Sequence, residues 1–327
     1  MINTRSIDIF LRGVRADFAL VEDQAQKQLS AYDSNVYLDA TNKLGPLFKE
    51  INATGKQRAE FTSVTGVPEL KPTGEAQPFN EVGYVPSFIT SVEPQKFTAR
   101  TKVTQESFER RDAQYQRALD EVAKHQVAYA NTIARHKFDR FNKAFALVTT
   151  ADVHLFDFND SVALCASNHP LKPMVPGAPS TYSNIVTASD ITSASIEAMV
   201  LVLQNQVDDI GEPMPMGGGT KYMVIPPNKV KKAKEAIASE WEVGTANNTV
   251  NVWYSSGWVL VTSPFLTSST AWFILDAMQS PLINVIFKAP TTSTWYDDNI
   301  KVAVYDIEAQ YKIGATDFRG LCGNAGL

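Results

Sequence analysis

Residues 104–148 read TQESFERRDAQYQRALDEVAKHQVAYANTIARHKFDRFNKAFALV, a stretch with neither proline nor glycine. Apolar residues return at Phe108, Tyr115, Leu119, Val122, Tyr129, Ile133, Phe141 and Phe145, the spacing of one helical face. The pattern predicts a single helix over 104–148, a rod of roughly 60 Å if unbroken. Most globular helices are about a dozen residues long, so this one is a spine around which the rest must be arranged. A heptad seam with charged flanks is absent, which argues against a coiled coil. Glu106, Glu109, Asp112, Asp120 and Glu121 alternate with Arg110, Arg111, Arg117 and Lys124, as suits paired charges on an exposed or intersubunit face. His125 and His136 lie about three turns apart and so can share a face without sharing a metal.

Ahead of the spine, residues 51–103 are rich in Thr, Val, Phe, Pro and Gly. Alternation at Phe88, Thr90 and Val92, and at Phe97, Ala99 and Thr101, predicts strands. Pro68, Pro72, Gly74, Pro78, Gly83 and Pro86 interrupt any regular sheet between Phe61 and Phe88, so this region is expected to project as a long hairpin-like loop. Residues 1–50 read as an arm with little core of its own. It opens on an amphipathic helix whose stripe is Ile7, Phe10, Leu11, Val14 and Phe18.

Behind the spine comes LCASNHPLKPMVPGAPSTYSN, residues 164–184, a proline-rich connection. Ser189 or Asp190 is placed to cap a helix over DITSASIEAMVLVLQNQVDD, with Ile196, Met199, Val200 and Leu203 on one face. A strand in KYMVIP follows, then a helix started by Pro227, then strands in TVNVWYS, GWVLVTS and AWFILDA. The expected product is a compact α/β body over 190–284. Last comes NIKVAVYDIEAQYKIGATDFRGL, a long alternating strand expected to return beside the spine.

The whole chain has 327 residues, 44% hydrophobic and 20% charged, which is the composition of a folded protein. Lys plus Arg number 30 against 35 Asp plus Glu, and a net charge of -5 opposes any function that grips nucleic acid through its phosphates. Two distant cysteines, Cys165 and Cys322, form no CxxC pair and suggest no disulfide framework, which fits a reducing compartment. No apolar run is long enough for a membrane span, and the N-terminus lacks a secretory h-region, so cytosolic synthesis is expected.

Chemistry is hard to find in this inventory. Cys165 and His169 would align only on a helix, and Pro170, Pro173, Pro176 and Pro179 forbid one. A zinc site needs further ligands, and His154 is the sole other candidate nearby in sequence. A thiol nucleophile would lack a rigid frame, so the expectation is a buried or half-buried cysteine beside a turn-forming Asn-His-Pro. Gly217 to Gly219 before Lys221 lead into a strand, whereas a phosphate cradle opens a helix. Lys229, Lys231, Lys232 and Lys234 read as a solvated helix face. No catalytic, metal or cofactor residue is assigned, and an enzyme is not expected.

The order of parts carries a resemblance. ARTKVTQESFERRDAQYQRALDEVAKHQVAYANTIARHKFDRFNKAF resembles the passage from extension loop to spine helix in major capsid proteins of tailed bacteriophages, the Hong Kong 97 phage capsid fold. DSVALCASNHPL followed by TYSNIV is similar to the stretch after the spine in Mu-like major head subunits, and YMVIPPNKVKKAKEAI and WYSSGWVLVTSPFL resemble the axial domain. The resemblance implies an α+β fold divided into an N-terminal arm (1–50), an extension loop (51–103), a peripheral domain with the spine (104–189 and 285–327, spine 104–148) and an axial α/β domain (190–284). It implies a shell of many copies, in hexamers and pentamers, enclosing double-stranded DNA without sequence-specific binding. A virion built in the bacterial cytoplasm follows, with a separate scaffolding protein, a portal and a possible decoration protein as partners, and no membrane. The arm and loop would cover neighbouring copies, which makes Phe10, Phe18, Phe61, Phe79, Tyr84 and Phe88 candidate intersubunit contacts. Lys71, near the expected loop tip, joins them because some members weld subunits through a lysine, although no bond is assigned here. An encapsulin-like compartment shell, or another self-assembling phage structural protein, is the alternative reading.

Overall fold

The computed structural model describes residues 4–32, 44–63, 72–75, 77, 88–173, 177, 179–214, 218–242, 250–254 and 256–327. Helix α1 (Thr4–Tyr32) uses the expected stripe, but on a partner that its own chain supplies. Phe10, Val14 and Phe18 are at most 3% exposed and pack on Val103, Tyr115, Val122, Ala303 and Tyr305. Phe10 meets Phe108 and Tyr296 edge to face, Phe18 meets Tyr305 likewise, and Asp17 accepts from Arg111 and the Tyr115 hydroxyl. Phe10 and Phe18 are therefore corrected from intersubunit candidates to core residues, and α1 from a coreless arm to a third layer over the spine. At Gly13 a side chain is excluded, since a Cβ would stand 2.6 Å from the Phe108 ring.

A 3-10 turn at Gly45–Leu47 leads into β1 (Lys49–Asn52), which runs parallel to the first half of a strand more than two hundred residues later. Leu44, Leu47 and Phe48 are buried in the main core, so the boundary expected at residue 50 falls inside a structural element. Strands β2 (Ala59–Thr62) and β3 (Ile89–Val92) pair antiparallel and form the root of the extension segment, closed by the Ser63 amide donating to the Phe88 carbonyl at 3.0 Å. Strand β4 (Lys96–Thr104) follows, then a short helix α2 (Gln105–Arg110) capped by Thr104.

The spine is α3 (Ala113–Asn142), some 45 Å long at the usual helical rise. It does not begin at residue 104. Arg111 adopts a left-handed conformation, φ 50°, and Asp112 caps the new helix by accepting from the amides of Gln114 and Tyr115. Past β5 (Leu155–Phe156), β6 (His169–Pro170) pairs with β7 (Thr181–Tyr182), so the proline-rich connection contains a small hairpin.

Helix α4 (Ser193–Gln204) buries Ile196, Met199, Val200 and Leu203 as expected. Its cap is Thr192, in a reciprocal pair with Ser195, while Asp190 binds Lys229 and Lys232 instead. Strand β8 (Lys221–Ile225), a 3-10 turn from Pro227, α5 (Val230–Ala238), β9 (Val259–Thr262) and β10 (Trp272–Asp276) complete this body. Among the described residues of TVNVWYS, 250–254, there is no strand: Trp241 bridges Val250 and Val252 to Tyr254 turn.

Two sheets meet in the middle. The larger has the order β1, β11 (Leu282–Asp297), β12 (Val302–Ala315), β4, with β5 pairing β12, and α3 lies on one face through Tyr129, Ile133, Phe138 and Phe141. The smaller has the order β13 (Leu321–Asn324), β10, β8, β9. One face of it carries α4 and α5; the other, through Val224, Phe273, Leu275 and Leu321, shares the core under α3. The last strand thus belongs to the smaller sheet and not to the one that carries the spine. Only glycine fits at position 323, where a Cβ would lie 2.6 Å from the Cys165 sulfur.

Candidate assembly surface and the waist that supports it

The Asn-His-Pro stretch is structural in a way its local sequence conceals. His169 is fully buried, with Nδ1 2.7 Å from an Asp160 carboxylate oxygen and Nε2 3.1 Å from the Asn184 carbonyl oxygen. Asn184 donates in turn to the carbonyls of Leu164 and Phe318. The His169 ring lies flat on Phe318, centroids 4.1 Å apart. Both ring nitrogens are engaged, so His169 is no base for Cys165, whose thiol is pushed well up by burial. Among the described residues no group of three or more His, Cys, Asp and Glu side chains could hold a metal.

Next to Phe318 stands Arg319, 1% exposed. Its guanidinium donates to Asp317 through Nη1 (3.0 and 2.9 Å), to Asp209 through Nη2 (2.7 Å) and to the Val207 carbonyl through Nε (2.6 Å). Ser63, at the root of the extension segment, donates to Asp317 at 3.0 Å. Residues 316–320 carry the chain from the large sheet to the small one, and Thr316 and Gly320 bond the return crossing and α4's end through Pro281 and Gln206. In this waist a buried charge cluster sits beside the apolar cluster of Phe158, Leu171 and Phe318, and every charge named here is met by a partner.

On the spine, His136 stacks on His154 with centroids 3.9 Å apart and shares a hydrogen bond with the Tyr311 hydroxyl at 2.9 Å. The His154 Nε2 is 3.3 Å from an Asp139 carboxylate oxygen. Burial, helped by the charges of His154 and Arg135 against Asp139, lowers the His136 pKa to about 4. A base whose folded pKa is depressed binds fewer protons folded than unfolded, so stability falls as pH drops from the ordinary value of 6.5 toward about 4. Discounted for partial exposure, the loss is roughly 1–2 kcal/mol, and His136→Gln should flatten this part of a urea midpoint-against-pH profile.

The outer surface holds the features that the fold leaves uncovered. Val252 is 76% exposed and Val250 63%, and Trp241 and Tyr254 are about half exposed beside them. Their backbone is pinned: Asn251 donates to the carbonyls of Ala236 and Ser239, its amide donates to Glu240, and Trp253 packs edge to face on Trp258. A cleft of about 390 Å³ between Ile237, Tyr254 and Trp258 adjoins them. Apolar side chains held outward on a fixed backbone are the mark of a contact surface.

Sequence reasoning assigned none of these four residues, because alternation in TVNVWYS looks the same whether its apolar side faces a core or a neighbour. Of the residues it did nominate, Phe61 and Phe88 are half-buried at the root of the extension segment, Phe61 against the large sheet and Phe88 beneath the Lys172 ammonium at 4.8 Å. Lys71, Phe79 and Tyr84 lie outside the described residues.

Three comparisons bear on what such a subunit is. No curated protein matches the chain. Among solved structures the fold is similar to a chain of Mycobacterium phage Patience (12% identity, 95% of this chain and 88% of that one, TM-score 0.56). It is also similar to the bacteriophage PhiM1 mature capsid (13% identity, 86% of each chain, TM-score 0.53) and to the capsid of an empty GTA particle (11% identity, 87% and 89%, TM-score 0.51). These likenesses establish the α+β capsid fold and do not single out the Mu-like branch. The family model described as phage capsid protein matches residues 88–324, from the root of the extension segment through the spine and both sheets to the last strand. The chain belongs to the phage capsid protein family.

Proposed function

We propose that the chain is the major subunit of a phage head, assembling with copies of itself into the hexamers and pentamers of an icosahedral shell around double-stranded DNA. The observation that carries the reading is the pinned, outward apolar surface at Trp241, Val250, Val252 and Tyr254 on a member of a capsid family. It is a poor feature for a solitary protein and a good one where the same surface is repeated by neighbours. A separate scaffolding protein and a portal complete the particle during assembly in the host cytoplasm. The subunit acts by packing rather than catalysis. A net charge of -5 suits a container that encloses DNA without adhering to it.

The content of purified particles tests the reading. Nuclease-resistant double-stranded DNA is expected inside particles recovered from infected cells; an enclosed enzyme with no DNA would overturn it in favour of a compartment shell.

A further inference from the structure

We infer that the outer face of α1 is a self-complementary contact, on which two copies of the chain lay their first helices antiparallel across a twofold axis. The inner face of α1 is used by its own core through Phe10, Val14 and Phe18, while Ile9 on the outside is 69% exposed and Leu20 58%. At the helical period, Ile9, Ala16 and Leu20 fall within about 40° of one another, on the side turned away from that core. Ala16 is exposed between the two larger side chains. The helix that carries them is fixed, because Asp17 accepts from Arg111 and the Tyr115 hydroxyl, and Arg15 donates to the Thr294 carbonyl at 3.1 Å.

The occupant follows from the symmetry of this face. Ile9 and Leu20 are about three turns, or about 16 Å, apart, with a small residue near their midpoint. A twofold axis at that midpoint sets Ile9 of each copy against the other copy's Leu20 and brings both Ala16 side chains near the axis, where the two backbones can approach to about 8 Å. A parallel pair would instead set the exposed Arg12 level with Arg12 of the other copy. The antiparallel pair offsets these like charges by about 7.5 Å along the helices. This inference rests on the reading of the chain as a shell subunit: the surface at Trp241 to Tyr254 joins copies into rings, and rings close into a shell only through a second contact between them. Each helix pair buries little, so it acts by repetition over the shell.

Cross-linking of particles assembled from the full chain tests this. With Ile9→Cys and Leu20→Cys in one chain, mild oxidation is expected to join residue 9 of one copy to residue 20 of another, read by peptide mapping. Within a single chain the two positions are too far apart to bridge, and the native thiols Cys165 and Cys322 are buried. Bonds from 9 to 9 or from 20 to 20, or no bond between copies in assembled particles, would overturn the contact. Ile9→Arg with Leu20→Arg needs no cross-link to be read. It is expected to lower the yield of closed particles about tenfold or more while rings persist, and parental yield would overturn the contact equally. Either failure leaves the shell reading intact, since that reading fails only if the parent chain itself assembles nothing.

Discussion

Arg319→Met lowers the stability of the chain by about 3–5 kcal/mol, measured by urea denaturation, because it takes a shared guanidinium away from two buried carboxylates. Asp209 and Asp317 are at most 4% exposed, and the guanidinium supplies four of the hydrogen bonds that hold the waist together. Arg319→Lys is expected to recover little, since an ammonium cannot reach two carboxylates and the Val207 carbonyl from one planar fork. The triple variant Arg319→Met, Asp209→Asn, Asp317→Asn should regain part of the loss, because neutral amides are cheaper to bury than carboxylates that have lost the guanidinium. If Arg319→Met were silent, the waist would be an ornament of the fold and not its clasp.

The second large effect falls on assembly and spares the fold. Val250→Asp with Val252→Asp replaces side chains that already face solvent, so the unfolding free energy of the subunit, read from urea denaturation, is expected to change by no more than about 0.5 kcal/mol. Around a ring of copies the same change places like charges against one another and removes apolar burial, so sedimentation should show capsomers and particles lost in favour of free subunits. Particles that form as readily as those of the parent chain would remove this surface from the contact.

How much of this is legible in the chain can be said residue by residue. The spine is legible because nothing between Ala113 and Asn142 breaks its period. Its true start is not, because Asp112 as a cap and Asp112 as one more exposed helical charge look alike in sequence. The stripe Phe10, Val14, Phe18 announces a buried face, yet a stripe does not name its partner. Here the partner is the chain's own Tyr115 and Tyr305 rather than a neighbour. His169 reads as a turn residue in sequence, but it stands in strand β6, and Asn184 and Phe318, which make it a core residue, lie far along the chain. The final strand is not legible in sequence because LCGN is too short to carry a pattern. Its sheet is chosen by the fit of Gly323 against Cys165 and by the register of Cys322 with Ile274. Long-range burial, and not local propensity, decides each of the cases that sequence leaves open.

The central claim is that this chain builds a closed shell from copies of itself. Negative-stain electron microscopy of the purified full-length protein, across a concentration series with and without its scaffold, is the most direct measurement. The account predicts capsomers at intermediate concentration and closed icosahedral particles where scaffold is present; a species that stays monomeric under every one of these conditions would contradict it.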